Sequence, residues 1–313
     1  MAPNILGVGI ATIDIVNLVD GFPAEDAEVR ALDQWQRRGG NATNTLAVLS
    51  QLGNRCTWAG TLAEDASSAL IREDLAAFGV SLDAVTVSAG GRAPTSYVTL
   101  NRRNGSRTIV HHRDLAEYTF ADFRRIDLSR FQWVHFEGRN VGQTRRMLEH
   151  LRTTTPGLPV SLELEKPRPA IEELCGLADL LLYSRCYARE RGFDAPLDAD
   201  HRRGPAAFLH HMRQRAPQAD HVLSWGDTGA FALAQGADSV MFSPARPVAN
   251  VVDTLGAGDT FNAGIIDARL RGRPLAEALD AACELAAKKC ARHGFRGLAA
   301  GSEPHRFRET HCR

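Results

Sequence analysis

Short apolar runs alternate along this chain with longer stretches in which apolar residues recur at helical spacing. The short runs predict buried strands at residues 5–10, 133–136, 160–164, 180–183 and 222–225. Three longer stretches, each followed by a glycine that suits a left-handed helix end, predict helices at residues 41–52, 67–78 and 259–271. A further helix is expected to begin after Pro274. The alternation is typical of an α/β fold with a central, mostly parallel sheet flanked by helices.

Two segments break this alternation and are predicted to form hairpins. From Asp14 to Trp35, two extended runs flank the turn-rich sequence DGFPAED, and residues 95–111 carry Asn104 and Gly105 between strand-like arms. Since hairpins do not belong inside a parallel sheet, we expect a small β-sheet lid, formed by about residues 13–38 and 93–113, on a single domain spanning residues 1–313. The edges of this lid are the predicted surface of a homodimer.

The composition narrows the class of protein. Hydrophobic residues make up 44% of the 313 positions and charged residues 24%, which is typical of a folded globular chain. Lys+Arg and Asp+Glu each number 37, so no net field attracts nucleic acid or an anionic membrane. The first ten residues lack the basic start and long apolar run of a secretory signal, and no window approaches the roughly 18 apolar residues of a membrane span. The six cysteines form no C-x-x-C pair of the kind that builds zinc or redox sites. We therefore expect a cytoplasmic enzyme without nucleic-acid or membrane partners.

The sequence DTLGAGDTFNAG, residues 253–264, predicts an anion site. A Gly-Ala-Gly turn that enters a helix can direct the N–H groups of Gly256, Ala257 and Gly258 towards one point. The helix dipole adds roughly half a positive charge there, which favours phosphate. Asp259 would be repelled by phosphate unless a cation lies between them or the acid takes a proton from a substrate. The pattern alone is also compatible with an ordinary turn and with Asp259 as a helix cap.

Two common nucleotide-binding motifs, the P-loop and the dinucleotide-binding fingerprint, are absent from the sequence. The chain has neither G-x-x-x-x-G-K-[ST] nor a strand followed by G-x-G-x-x-G. The full segment VVDTLGAGDTFNAG instead resembles the C-terminal signature of the ribokinase-like sugar kinases, the PfkB carbohydrate kinase family. The resemblance extends in order over most of the chain through RRGGNATN, NGSRTIV, EGRN, ELEKPR, SWGDTG and AAKKCARHGF. It implies a ribokinase-like fold and an ATP-dependent sugar kinase.

The resemblance also implies a role for the anion turn. Asp259 becomes the base that accepts the proton of a sugar hydroxyl as the bond to phosphorus forms. The N–H groups of Gly256, Ala257 and Gly258 become an anion hole for the transferred phosphoryl group, and this turn contacts ATP as well.

Sugar contacts are implied in two segments near the start of the chain. RRGGNATN implicates Gly40, Asn41 and Asn44, because amides offer both donors and an acceptor to a hydroxyl and glycine admits the sugar against the backbone. GIATIDIV implicates Asp14 as a further ligand of substrate hydroxyls. The alternatives are a helix cap for Asn41 and a turn residue for Asp14.

Nucleotide contacts are implied at two further places. SWGDTG implicates Gly226, Asp227, Thr228 and Gly229 near the ribose and phosphates of ATP, with a hairpin turn as the alternative. NGSRTIV implicates Arg107, which would reach the ATP phosphates from the lid because a guanidinium fits phosphate geometry. An exposed strand arginine is the alternative for Arg107.

One segment departs from the family pattern. Many members carry Asn-x-x-Glu after a central strand, where the glutamate helps to place magnesium, but this chain reads Ser184-Arg185-Cys186-Tyr187. Glu163 or Glu165 could help to organise a metal, although alternating glutamates are also typical of a strand end at the surface. Mg²⁺ is still expected because it neutralises phosphate oxygens during transfer, K⁺ is a further candidate, and no direct metal ligand is assigned.

Within the family, the segments are most similar to those of members that phosphorylate ketoses. This similarity implies fructose as the substrate and fructose 1-phosphate as the product. A ribokinase, a 6-fructokinase or a nucleoside kinase of the same family remains an alternative, as does a non-catalytic sugar or nucleotide sensor. An interaction scaffold that uses only the lid would leave the phosphate-shaped turn unexplained.

Overall fold

The buried apolar runs become the strands of a large sheet. The computed structural model describes residues 2–193 and 203–299. Its strands are β1 (Asn4–Val8), β2 (Thr12–Val19), β3 (Asp33–Gly39), β4 (Arg55–Ala59), β5 (Thr61–Ala63), β6 (Thr86–Ser88), β7 (Thr95–Asn101), β8 (Arg107–His112), β9 (Trp133–Glu137), β10 (Val160–Leu164), β11 (Leu180–Ser184), β12 (Asp220–Ser224), β13 (Gly229–Leu233) and β14 (Met241–Pro244).

Eight strands form the main sheet, in the order β14-β13-β12-β11-β10-β9-β1-β4. Neighbours from β12 to β4 are parallel, whereas β13 and β14 add an antiparallel edge. All five residues of β10 are buried, as expected for a parallel strand that is covered on both faces. The mostly parallel sheet predicted from the sequence is therefore confirmed.

Helices cover both faces of this sheet. They are α1 (Asn41–Gln51), α2 (Ala66–Ala77), α3 (Phe120–Phe123), α4 (Val141–Thr154), α5 (Arg185–Arg189), α6 (Arg203–Arg213), α7 (Ala257–Leu270) and α8 (Leu275–Cys290). On one face, Leu162 of β10 shares a core with Leu148 of α4 and Phe208 of α6. On the other face, Ile5 of β1 shares a core with Ile265 of α7. Each such burial contributes about 1.5–3 kcal/mol, which holds the helix ends in place over the sheet edge.

The predicted bounds differ from the structure where the chain leaves a strand early. The strand predicted at residues 5–10 ends at Val8, because the chain leaves the main sheet to start β2 of the small sheet at Thr12, where the N–H of Ile13 bonds to the carbonyl oxygen of Pro94. Strands β4, β5 and β6 were not predicted from the sequence, and β5 and β6 have only three residues each. The helix expected after Pro274 is α8.

A second sheet of four strands is built by the two predicted hairpins. Its order is β3-β2-β7-β8, and the hairpins join through the parallel pair β2 and β7. Every residue of the outer strand β8 is exposed. The small sheet confirms this part of the predicted fold, while its action as a lid stays a prediction.

Two expectations from composition also bear on the fold. Cys56, Cys175, Cys186, Cys283 and Cys290 are all free thiols, and Cys312 lies outside the described residues. Among the residues that the structure describes, no helix is both long enough and apolar enough to cross a bilayer.

Candidate active site

Four elements meet at the carboxyl end of the central strands. Strand β9 ends at Glu137, and its register partner in β10 is Glu163. Helix α1 begins at Asn41 and helix α7 at Ala257, and side chains from both helices bond to Glu163. In open α/β sheets, ligands bind at this edge, outside the ends of the strands.

Asp259 lies in the first turn of α7 and is 7% exposed. Its Oδ2 accepts a hydrogen bond from Nδ2 of Asn44 at 2.7 Å. Within residues 2–193 and 203–299, no hydrogen bond reaches its Oδ1 from the protein. The cap position of α7 belongs to Gly256, with no side-chain cap, so the interpretation of Asp259 as a helix cap is wrong. One carboxylate oxygen is held by Asn44, and the other remains for a ligand.

The surroundings of Asp259 make its carboxyl unusually basic. Burial is the main cause that raises its pKa to about 8, and the negative charges of Glu165 and Glu137 raise it further. The hydrogen bond from Asn44 and the positive charge of Arg38 act in the opposite direction. A carboxyl with a pKa near the working pH is suited to accept a proton from a hydroxyl.

Arg38 fixes the amide that contacts Asp259. Its guanidinium is almost completely buried, and Nη1 donates to Oδ1 of Asn44 at 2.8 Å and to Oγ1 of Thr43 at 2.9 Å. Its Nε donates to Oδ2 of Asp74 at 2.6 Å. Because Oδ1 of Asn44 is bound to a cation, its Nδ2 must face Asp259. Arg38 was not among the site residues predicted from the sequence, although it lies within RRGGNATN.

The turn before α7 has the geometry of an anion site. Gly256 has φ 81°, and a Cβ at this position would lie 2.2 Å from Cζ of Phe295. In the part of the chain that the structure describes, the N–H groups of Gly256 and Gly258 find no protein acceptor, whereas that of Ala257 bonds to the carbonyl oxygen of Thr254 at 3.3 Å. Open space lies beside Gly258, where a Cβ would meet nothing within 4 Å. Free N–H groups at a helix start attract anions.

Asp253 anchors this turn to two other elements. Its Oδ1 accepts from the N–H of Leu255 at 2.9 Å, and its Oδ2 accepts from Arg37 of β3 at 2.8 Å and from Nζ of Lys289 at 2.7 Å. Burial opposes ionisation of Asp253, but Arg37 and Lys289 outweigh it and hold the pKa well below its usual value. Lys289 is fully buried and also bonds to the carbonyl oxygen of Asp253 at 2.9 Å. Arg37, Asp253 and Lys289 were not among the site residues predicted from the sequence, although RRGG contains Arg37 and KKC contains Lys289.

Asn41 does not cap helix α1. Gly40 occupies the cap position with φ 106°, no side chain caps the helix, and Nδ2 of Asn41 donates to Oε1 of Glu163 at 3.1 Å. A Cβ at Gly40 would lie 2.2 Å from the carbonyl oxygen of Ile10, so only glycine fits there. The bond to Glu163 leaves Oδ1 of Asn41 and one amide hydrogen for a ligand.

Asp14 lies within β2 rather than in a turn, so the interpretation as a turn residue is wrong. Its Oδ1 accepts from Oγ1 of Thr12 at 3.0 Å. Its Oδ2 lies close to the backbone of Gly39, where an added Cβ would approach it to 2.4 Å. The carboxylate of Asp14 is therefore next to Gly40, at the start of α1.

The residues of SWGDTG form the turn between the antiparallel strands β12 and β13. Gly226, Asp227 and Thr228 make one turn of 3₁₀ helix, and Gly229 has φ 133°. The side chain of Asp227 is 95% exposed, and its nearest cation is Nη1 of Arg185 at 3.7 Å. The hairpin interpretation is thus correct, and the predicted contact with nucleotide stays a prediction.

Arg107 lies at the tip of the small sheet. It is the first residue of β8 and pairs with Leu100, whereas His112 at the other end of β8 pairs with Thr95. Arg107 is exposed, as the alternative for this residue supposed. Its reach towards the ATP phosphates stays a prediction.

The segment that replaces Asn-x-x-Glu has a structural role. Ser184 caps α5, since its Oγ accepts from the N–H of Tyr187 at 3.0 Å and donates to the carbonyl oxygen of Glu165 at 2.6 Å. Glu163 is buried, so its interpretation as a surface residue at a strand end is wrong. Across residues 2–193 and 203–299, no group of three or more His, Cys, Asp or Glu side chains is placed to hold a metal ion.

Comparison with known proteins places this site in a family. A sequence model described as "pfkB family carbohydrate kinase" matches residues 2–299. The chain is 38% identical over 304 residues to a ketohexokinase of Mus musculus, covering 94% of this chain and 98% of that protein. It is 23% identical over 278 residues to a nucleoside kinase of Methanothermobacter thermautotrophicus, covering 87% and 84%.

Solved structures share the fold. A ribokinase of Arabidopsis thaliana, complexed with ribose and ATP, superposes with a TM-score of 0.76 at 22% identity and covers 94% of both chains. A ribokinase of Cryptococcus neoformans in complex with ADP gives a TM-score of 0.79 at 16% identity, covering 94% of this chain and 95% of that one. These likenesses confirm the ribokinase-like fold.

Proposed function

Because this chain belongs to the pfkB family of carbohydrate kinases, we propose that it transfers the γ-phosphate of ATP to a hydroxyl of a ketose, most favourably the 1-hydroxyl of fructose. The similarity to a ketohexokinase over almost the full length of both chains supports a ketose as the substrate. The observation that carries the proposal is the buried carboxyl of Asp259 in the turn that also holds the N–H groups of Gly256 and Gly258. Among the described residues, one oxygen of Asp259 and both N–H groups have no bonding partner.

The proposed transfer uses Asp259 as the base. Its Oδ1 takes the proton from the sugar hydroxyl while the hydroxyl oxygen forms a bond to the γ-phosphorus and the bond between that phosphorus and the ADP oxygen breaks. The N–H groups of the turn bind the phosphoryl oxygens during transfer. Asn44 holds Oδ2 of Asp259, so the carboxyl keeps one orientation throughout.

The proposed sugar site lies at the start of α1. Gly40 admits the sugar against the backbone, and Asn41, Asn44 and Asp14 offer donors and acceptors to its hydroxyls. Two of these side chains are held by neighbours, since Arg38 donates to Oδ1 of Asn44 and Glu163 accepts from Nδ2 of Asn41. A substrate that leaves a polar group in this site without a hydrogen-bond partner loses more binding free energy than one that lacks an apolar contact. This difference favours a narrow range of substrates.

ATP is proposed to lie along the turn before α7 and the hairpin at residues 226–229. Arg107 would reach it only if the small sheet closes, so the lid action is part of this proposal. Mg²⁺ binds mainly through phosphates and water in many sites, so it does not need a cage of three protein carboxylates. When bound, Mg²⁺ would neutralise phosphate oxygens, and K⁺ is a further candidate cation. A homodimer is proposed from the edges of the lid, and a cytoplasmic location from the sequence pattern and the cysteines.

A panel of acceptors tests the function. ADP release is measured with Mg-ATP and fructose, tagatose, ribose, fructose 6-phosphate or adenosine, and the position of the new phosphate is found by NMR. Release with fructose and a phosphate on its 1-hydroxyl supports the proposal. Release only with ribose or adenosine would make the chain a ribokinase or a nucleoside kinase, and thermal stabilisation by sugar and ATP without ADP release would make it a sensor.

A further inference from the structure

Two glutamates lie side by side at the candidate site but have different partners. Glu137 and Glu163 are register partners on the parallel strands β9 and β10, and both are buried. Glu137 has a cation: its Oε1 accepts from Nη1 of Arg139 at 2.8 Å, and its Oε2 accepts from the N–H of Ile10 at 3.1 Å. Glu137 is therefore a paired carboxylate with both oxygens satisfied.

Glu163 has no such compensation. Its Oε1 accepts from two neutral amides, Nδ2 of Asn41 and Nδ2 of Asn262, both at 3.1 Å. Its Oε2 is buried and finds no hydrogen-bond partner in the described part of the chain. A buried carboxylate that lacks both a cation and a partner for one oxygen is costly, and protonation removes the charge.

The charges around Glu163 act in the same direction. Burial is the main cause that raises its pKa well above the usual value, and the negative charges of Asp259 from α7, Glu165 from the end of β10 and Glu137 from β9 raise it further. The amide of Asn41 on α1 opposes this only weakly.

Asp259 has a nearby cation that Glu163 lacks, and this difference decides which of the two carboxyl groups ionises first. Asp259 accepts a hydrogen bond from Asn44, and the guanidinium of Arg38 on β3 favours its charged form. Glu163 has no corresponding cation among its hydrogen-bond partners. When two buried carboxyls interact, the one with the better partners loses its proton first.

We propose that Glu163 is a positioning residue that keeps its proton in the folded protein, so that its carbonyl oxygen holds the amides of Asn41 and Asn262. Because protonated Glu163 carries no negative charge, it does not repel the ionised carboxylate of Asp259, so Asp259 can still ionise. The inference rests on the proposed function for the roles of Asn41 and Asp259, but the state of the proton on Glu163 is independent of it.

Unfolding measured against pH tests the proton directly, without substrate. An unfolded glutamate loses its proton near pH ~4.3, whereas Glu163 keeps it in the folded protein. Between these two pKa values unfolding releases a proton, so the wild type becomes less stable as pH rises. Glutamine has the shape of the protonated acid and releases nothing. The unfolding equilibrium constant of the wild type, divided by that of Glu163→Gln, should therefore rise about tenfold per pH unit between pH ~5 and ~7.

The matched control is Glu137→Gln on the neighbouring strand. Glu137 is paired with Arg139, so its replacement should give no such rise with pH. A ratio for Glu163→Gln that stays constant over this pH range would overturn the proposal, because it would mean that Glu163 is ionised in the folded protein. The infrared carbonyl band of a protonated carboxyl gives a second measurement, and it should be present in the wild type and lost in Glu163→Gln.

Kinetics test the positioning role. Glu163→Ala should raise the KM for the sugar at least tenfold, and Glu163→Gln should recover most of that loss without moving the pH midpoint of the rate. A midpoint that moves to lower pH in Glu163→Gln would overturn the proposal, because it would show that a negative charge had been removed from beside Asp259. If Glu163→Ala does not fold, the comparison of Glu163→Gln with Glu137→Gln still decides. If no acceptor gives ADP, the proposed function fails, while the unfolding and infrared measurements still decide the inference.

Discussion

Replacing Asp259 by asparagine should separate catalysis from stability. The amide keeps the size of the side chain and can still accept from Nδ2 of Asn44 through its oxygen, but it cannot take a proton. Loss of a positioned general base costs about 10²–10⁴-fold in rate, so turnover should fall by that factor while stabilisation by ATP persists. The expected defect therefore lies in the chemical step rather than in binding of the nucleotide.

The same substitution should stabilise the folded protein. An unfolded aspartate loses its proton near pH ~3.9, whereas burial keeps the folded carboxyl of Asp259 protonated until its pKa of about 8 is reached. Between these values unfolding releases a proton, so stability falls as pH rises, by about 1.4 kcal/mol per pH unit. Over about three pH units up to pH ~7, this effect lowers the free energy of unfolding of the wild type by about 4 kcal/mol, whereas Asp259→Asn does not lose this free energy.

Two measurements check this prediction. Urea unfolding at pH ~5 and ~7 should show the stability advantage of Asp259→Asn growing by about 3 kcal/mol, and a coupled ADP assay should show the loss of turnover. Asp267→Asn is the matched control on the same helix, where the acid bonds to Arg271 and Asn54; it should lose a little stability and keep its turnover. Near-normal turnover of Asp259→Asn, or a stability difference that does not change with pH, would refute the reasoning.

Three further substitutions test the turn and its surroundings. Gly258→Ala has room for its methyl group and should keep the free energy of unfolding, but it should lower kcat at least tenfold because the methyl group enters the path of the phosphate. Gly256→Ala should instead lower the free energy of unfolding by about 1–3 kcal/mol, since its φ is positive and its Cβ has no room. Lys289→Met leaves Asp253 with one cation and should cost about 3–5 kcal/mol in urea unfolding, and an unchanged midpoint would contradict the role of the buried ion pair. Arg107→Ala should raise the KM for ATP at unchanged stability, and an unchanged KM would show that the small sheet does not bring this residue to the nucleotide.

The main sheet could be predicted because its strands are covered on both faces. Strand β11, with the sequence LLLYS, is apolar at nearly every position, so the sequence predicts it to within one residue, whereas β5 and β6 are too short for any periodicity to show. The small sheet was predicted from its turns, since Asn104 and Gly105 mark one hairpin whose strands pair antiparallel.

The candidate site was predictable only where chemistry is carried by a local motif. Asp259 and Gly256 are neighbours in sequence, so one segment reveals both. The bond between Arg37 and Asp253 joins residues 216 positions apart, and no pattern along the chain indicates such a pair. The burial of Glu163 was also not predicted, because a glutamate in an alternating run is typical of a surface position. Only the packing of α1 and α7 over β10 encloses its side chain.

The contact between Arg37 and Asp253 has a mechanical consequence. It ties β3, the edge strand of the small sheet opposite β8, to Asp253, three residues before Gly256. We therefore expect β3 and the loop with Asp253 to move together. Strand β8 lies at the opposite edge of the small sheet, is exposed along its length and is not tied in this way, so it can bend independently. If ligands bind at the proposed sugar and nucleotide sites, a ligand that stiffens one of these parts stiffens the other, so each ligand should strengthen the binding of the other by the same factor.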